Sequence, residues 1–312
     1  MDANGIEIGT CRERMTPCAL TTCLPVADPL WVLAGASGRV GRMLMRHWRR
    51  HPPAGLRIVP QYRTAHGDCV VWSPLDGPAP LVALARAQGG VAGLIVLSGV
   101  TPGPGAWLEG NPALAEAAVQ AARATGIPRL LVASSSAVYG AGDGTPLHEE
   151  APTAPVNAYG RAKLAAEAVC ATATDLDLCC LRIGNVAGAD ALLLNLARAT
   201  PETPLRLDRF ADGAGPLRSY IGPATLARVL ETLAVRNGAL PARLNIGAPR
   251  PAAMQALLDA ARAPYTMVPA PPTALQHITL DCSRLASLHD FAAAVSEPAS
   301  MVAQWLAVKD PE

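Results

Sequence analysis

The chain has 312 residues, half of them apolar, and a formal net charge of +1. That is long enough for one large domain or a domain with a small lobe, and it gives no electrostatic reason to expect nucleic acid or an anionic membrane as partner. Its longest mid-chain apolar run, residues 91–100, is too short to cross a bilayer and suits a strand buried on both faces. The eight cysteines, Cys11, Cys18, Cys23, Cys69, Cys170, Cys179, Cys180 and Cys282, show no CxxC or Cys/His spacing. They read as core or free thiols of a cytoplasmic protein with no metal site.

Residues 1–28 differ in texture from the rest and read as a flexible N-terminal extension. From residue 30 the pattern alternates. It predicts strands at 30–34, 56–63, 69–72, 93–97, 129–134 and 178–183, and helices at 40–50, 81–87, 111–125 and 158–172. Strands separated by helices imply a parallel sheet with helices on both faces, a doubly wound Rossmann-like α/β domain over 29–188. After Gly188 the pattern loosens. Helices are predicted at 192–199, 224–237, 252–263 and 299–307, and strands at 243–246, 265–268 and 277–280. Residues 189–312 then form mainly a small substrate lobe, with elements returning to the sheet.

Gly35-Ala36-Ser37-Gly38-Arg39-Val40-Gly41 follows the first strand and opens a helix. Free N–H groups and the positive dipole end of that helix suit a pyrophosphate. Glycines permit the tight turn and the close phosphate approach. An NAD enzyme should end its second strand in an acid, for the ribose 2′-hydroxyl. Here the strand ends Gln61-Tyr62-Arg63, and an arginine there can pair with a 2′-phosphate. Arg39 is placed to help from the other side. The reading leans to NADP, with NAD as the alternative.

Tyr159 and Lys163 stand four apart on a predicted helix and so share a face. A phenol of pKa about 10 is a poor base alone, and a neighbouring ammonium favours the phenolate. The fifth strand ends Ser134-Ser135-Ser136, with hydroxyls facing the crevice and able to hold a substrate oxygen while Tyr159 moves a proton.

In this order the motifs resemble the extended short-chain dehydrogenase/reductase superfamily, in its NAD-dependent epimerase/dehydratase group, from about Leu30 onward. The glycine turn, Leu97-Ser98-Gly99, Asn111, the Ser-Ser-Ala-Val-Tyr-Gly run at 135–140, Tyr159-Gly160-Arg161-Ala162-Lys163, Glu167 and the 181–188 stretch all fit. The resemblance implies Tyr159 as acid/base, Lys163 as the group that binds the nicotinamide ribose and lowers the tyrosine pKa, and Ser135 as the triad serine. It places Gly35, Ser37, Gly38, Arg39, Val40, Gly41, Arg63, Ser98 and Gly99 at the cofactor, and Ser136, Tyr139, Asn185 and Arg218 near the substrate. It also implies a homodimer, packed through the helices at 111–125 and 158–172.

Four departures bear on substrate. Dehydratases of the group carry Asp-Glu after the catalytic Ser/Thr, and Ser136-Ala137 stands here, which argues against elimination of water. Of two arginines that clamp a nucleotide-sugar diphosphate, Arg218 matches one, and the stretch 269–276 offers no second. The acid after Tyr220-Ile221 is replaced by Gly222-Pro223, where proline can open the following helix. The segment between Gly188 and Arg218 is short, which suits a small substrate. The sequence therefore reads as an NAD(P)-dependent oxidoreductase acting on a secondary alcohol or ketone of a sugar or sugar acid. The alternatives are a nucleotide-sugar epimerase with retained NAD and a non-catalytic NADP-binding protein. Relatives of the last kind usually lose the tyrosine or lysine, and this chain keeps both.

Overall fold

The computed structural model describes residues 28–310, the side chains of 197 and 198 excepted; the predicted extension thus lies almost wholly outside the described residues. A seven-stranded sheet forms the centre. Its strands are β1 (Leu30–Ala34), β2 (Arg57–Tyr62), β3 (Val70–Val71), β4 (Gly93–Val96), β5 (Arg129–Ser135), β6 (Asp177–Ile183) and the later Arg243–Ile246. All pairings are parallel. Laterally they run β3-β2-β1-β4-β5-β6, then Arg243–Ile246. The order reverses between β1 and β4, and ligands of open α/β sheets bind at such a reversal.

Both faces of the sheet are apolar because successive side chains of a strand point to opposite sides. Trp31, Leu33, Ile95, Leu131 and Leu181 pack with Leu44 and Trp48 of α1 (Arg39–Arg50) and with Leu226, Leu230 and Leu233 of the helix Pro223–Val235. Leu30, Val32, Leu94, Leu130 and Cys180 face the other way. They meet Ala115, Ala118 and Ala122 of α3 (Gly110–Thr125) and Ala166 and Cys170 of α4 (Ala158–Ala171), with α2 (Ala79–Gln88) alongside. Each fully buried Leu or Val contributes about 1.5–3 kcal/mol. Alanine along α3 and α4 lets the two helices lie close together and close to the sheet.

Beyond β6 the sequence and structure diverge in detail. Asn185–Val186 pairs in parallel with Tyr220–Ile221, and Leu205–Arg209 with Tyr265–Pro269. Leu217–Arg218 lies between Ala252–Ala253 and His277–Ile278. The helix predicted at 252–263 shortens to Met254–Ala260, because residues 252–253 are taken up in that pairing. These strands are two to five residues long, too short for a period-2 pattern to stand out. Pro223 does open its helix, in the first turn after Gly222. No helix among the described residues is long and apolar enough to cross a membrane.

Candidate active site

The carboxyl ends of β1, β4, β5 and β6 open into a cleft of about 600 Å³. Gly35, Gly38, Arg39, Val40 and Gly41 form one wall. Gly35 has φ +88°, and a Cβ there would fall 2.5 Å from the Ser98 amide nitrogen. A Cβ on Gly41 would sit 2.3 Å from the Gly35 carbonyl. Only glycine permits this approach of β1, α1 and the end of β4. The turn is thus shaped as a backbone cradle at a helix N-terminus, which fits a dinucleotide diphosphate. Gln61, buried at the end of β2, braces it: its Oε1 accepts from the Gly35 amide at 2.9 Å, and its Nε2 donates to the Trp72 carbonyl. Sequence reasoning counted Gln61 only as a missing acid; its amide, which accepts and donates at once, was the signal available.

Tyr159 and Lys163 reach the cleft because Asn157 caps α4, its side chain accepting from the Gly160 amide at 2.8 Å. Such a cap is worth about 1 kcal/mol. Tyr159, Lys163, Ser134 and Ser135 all line the cleft. The Lys163 ammonium donates to the Ala133 carbonyl at 2.9 Å and lies 6.0 Å from the centre of the Tyr159 ring. Burial raises the Tyr159 pKa; the hydrogen bond with Ser135 and the Arg39 charge pull it back. The lysine faces the flat of the ring and is held on the Ala133 carbonyl. Burial also pushes Lys163 down to about 8, against the opposing effects of Cys170, Cys180 and Glu167.

The three serines separate clearly. Ser135 accepts from the Ala137 amide at 3.2 Å and is the tyrosine's neighbour. Ser134 is buried and donates to Glu167 Oε1 at 2.5 Å. Ser136 does not line the cleft. Glu167 in turn is held by Arg182, through Nε at 3.0 Å and Nη2 at 2.7 Å. Arg182 also donates to the Glu149 carbonyl at 3.0 Å. The Glu149 carboxylate accepts from the Asn245 amide at 3.0 Å.

Not every predicted residue meets the cleft. Val40, Gly99 and Asn185 line it, while Ser37, Arg63 and Ser98 do not. Arg63 is exposed at the end of β2. Arg39 donates to the Thr101 hydroxyl at 3.4 Å, on the same cleft as Tyr159. Tyr139 is 2% exposed and donates to Asn245 Oδ1 at 2.7 Å, with Arg182 stacked 4.7 Å from its ring centre. It belongs to the buried network, not to the crevice where it was expected. Arg218 is likewise outside the cleft: it donates to the carbonyls of Leu217, Leu275 and Gln276. Asp190 was missed. It lines the cleft, accepts from Tyr220 at 2.9 Å and caps the helical turn at Ala191–Leu194, and burial raises its pKa.

The model of the NAD dependent epimerase/dehydratase family matches residues 31–203. A UDP-glucose 4-epimerase of Azospirillum brasilense is 30% identical over 187 residues, 53% of this chain and 54% of that protein. The match thus spans about half the length of that relative. Among solved structures, the UDP-glucose 4-epimerase from Brucella ovis in complex with NAD superposes with a TM-score of 0.71 at 22% identity, over 88% of this chain and 96% of that one. TunA, an NAD-dependent NDP-hexosamine 5,6-dehydratase of tunicamycin biosynthesis, gives 0.68 at 17% identity, over 89% of this chain and 98% of that one. At these identities the likeness in structure is one of fold.

Proposed function

The chain belongs to the NAD-dependent epimerase/dehydratase family, and from that premise we propose that it is an NAD(P)-dependent oxidoreductase acting on a secondary alcohol or ketone of a small sugar or sugar acid. The observation that carries this reading is the meeting of the glycine turn, Ser135, Tyr159 and Lys163 on one cleft. The glycine turn and the first turn of α1 would hold the diphosphate, and Lys163 the nicotinamide ribose. Bound there, the nicotinamide supplies the hydride acceptor or donor. Ser135 holds the substrate oxygen, and the Tyr159 hydroxyl takes or gives its proton. Positioning of these groups supplies much of the rate, since a well-oriented pair avoids the entropy of encounter.

Arg218 supports a small substrate over a nucleotide sugar. Its guanidinium is engaged by three main-chain carbonyls, so a diphosphate would have to displace existing bonds. The second reading, a nucleotide-sugar epimerase with retained NAD, is favoured by the UDP-glucose 4-epimerase relatives. For the cofactor, an exposed Arg63 and no carboxylate on Gln61-Tyr62-Arg63 support NADP, with Arg39 serving the diphosphate half whichever nucleotide binds. The family name supports NAD.

Purified protein incubated with uronic acids, aldoses and UDP-sugars, with NAD or NADP, distinguishes these readings by absorbance of reduced cofactor and by chromatography of the sugar. Net cofactor reduction on a free sugar or sugar acid is the expected result. Interconversion of UDP-sugars with tightly retained NAD would replace it with the epimerase reading.

A further inference from the structure

Glu167 is engaged on every side. Ser134 of β5 donates to it, Arg182 of β6 grips it through Nε and Nη2, and its own helix carries Lys163 one turn earlier. The residue is 7% exposed, Lys163 6% and Arg182 1%. A buried carboxylate held by one arginine has no need of the serine or of a place beneath the lysine. We infer that Glu167 is a positioning residue: it fixes α4 to the ends of β5 and β6 and sustains the positive charge of Lys163 in the cleft.

The surroundings of Lys163 define what its charge depends on. On α4 its neighbours are Tyr159, Cys170 and Glu167, and from β6 comes Cys180; Glu167 is itself paired with Arg182. From β5 comes the Ala133 carbonyl. On the loop after β4, a Cβ on Gly99 would lie 2.8 Å from the ammonium and 3.0 Å from the Asn111 carboxamide oxygen. Burial disfavours the ammonium; Cys170, Cys180 and, after them, Glu167 oppose it, and Glu167 is the carboxylate among the three. Cys170 and Cys180 titrate as neighbours: Cys180 and Lys163 favour the Cys170 thiolate, while Cys170 and burial raise Cys180. Arg39 acts on the tyrosine hydroxyl rather than on the lysine. Removing the Glu167 charge therefore leaves the ammonium with its desolvation penalty less opposed, and the lysine should release its proton at lower pH.

This inference rests on the reading of Lys163 as a working group of the cleft, but its test needs neither substrate nor cofactor. The sequence contains two lysines, Lys163 and Lys309, so 13Cε-lysine NMR of the full chain follows Lys163 directly, with Lys309 as internal reference. In the wild type the Lys163 resonance should titrate near 8. In Glu167→Gln its midpoint should fall by about one unit. Glu167→Asp keeps the charge and the Arg182 pairing while drawing the carboxylate back. It should shift the midpoint the same way by less, and it serves if the glutamine variant does not fold. Ser134→Ala should leave the Lys163 midpoint in place. An unshifted midpoint in Glu167→Asp, or in a folded Glu167→Gln, would overturn the inference. So would an equal shift in Ser134→Ala, which would mark a general loosening of packing in place of a charge effect. Titration of the wild-type lysine at the wild-type midpoint in all variants, with cofactor reduction still observed, would remove this role and leave the proposed function standing.

Discussion

Arg182, in the central sheet, and Arg218, in the short strand Leu217–Arg218 beyond it, spend their guanidinium groups differently. Arg182 binds a carboxylate, a main-chain carbonyl and the face of a tyrosine, and so joins β6 to α4 and to the 147–150 segment. Arg218 binds carbonyls alone, those of Leu217, Leu275 and Gln276. The first arrangement fixes the side chains around Tyr159 and Lys163. The second fixes the path of the 275–276 chain. Buried charge thus ties the sheet to α4, while the region around Arg218 is tied through main-chain carbonyls.

The comparison can be broken in four ways. Tyr159→Phe removes the proposed proton-transfer group and should lower turnover by about 10²–10⁴-fold, with cofactor affinity retained in a fluorescence titration. Unchanged turnover would take Tyr159 out of the chemistry. Arg182→Met strands Glu167 as a buried carboxylate and should cost about 3–5 kcal/mol in denaturant unfolding. Arg218→Met loses bonds from a charged donor to carbonyls, and the cost should be smaller, about 1.5–3 kcal/mol. A folded Arg218→Met that also keeps its KM for a free sugar would confirm that the arginine serves the main chain at 217 and 275–276. Next in size, Arg63→Ala should weaken NADPH by about 10-fold and spare NADH, while Arg39→Ala weakens both; loss of NADH alone would reverse the cofactor reading.

A further effect concerns pH. Lys163 holds its proton less tightly in the folded chain, about 8 against 10.5 in the unfolded chain. Between those values the unfolded state binds more protons, so this group makes stability rise with pH across that window. Lys163→Met lacks the buried charge. Its stability relative to wild type should be greatest below pH 8 and should shrink toward pH 10.5, as read by thermal unfolding of both proteins in parallel.

The sheet was legible because its strands are apolar on both faces and its helices follow a 3.6-residue period. Tyr159 and Lys163 were legible because four residues on one helix fix their relation locally. Among the serines, the family motif singled out Ser135, while the strand alone gave all three as facing the crevice; neighbours on a strand point to opposite sides, so Ser134 and Ser136 were misplaced. Tyr139 was misread for a related reason: its hydroxyl finds Asn245, 106 residues away, and no local pattern reports that. Arg218 matched a motif, but its direction is set by carbonyls nearly 60 residues downstream. Short strands after β6 owe their pairing to the lobe as a whole, with too few residues each to mark it.

Gln61 has a consequence for anyone who would redesign this cleft. Its amide ties the first glycine of the cradle to the end of β3 from beneath, so the loop geometry is settled before a nucleotide arrives, and less conformational freedom is lost on binding. Exchanging cofactors by installing an acid at Gln61 would remove that tie along with the neutral charge. Tyr62 and Arg63, next along β2, offer the nucleotide-selective change with the brace left intact.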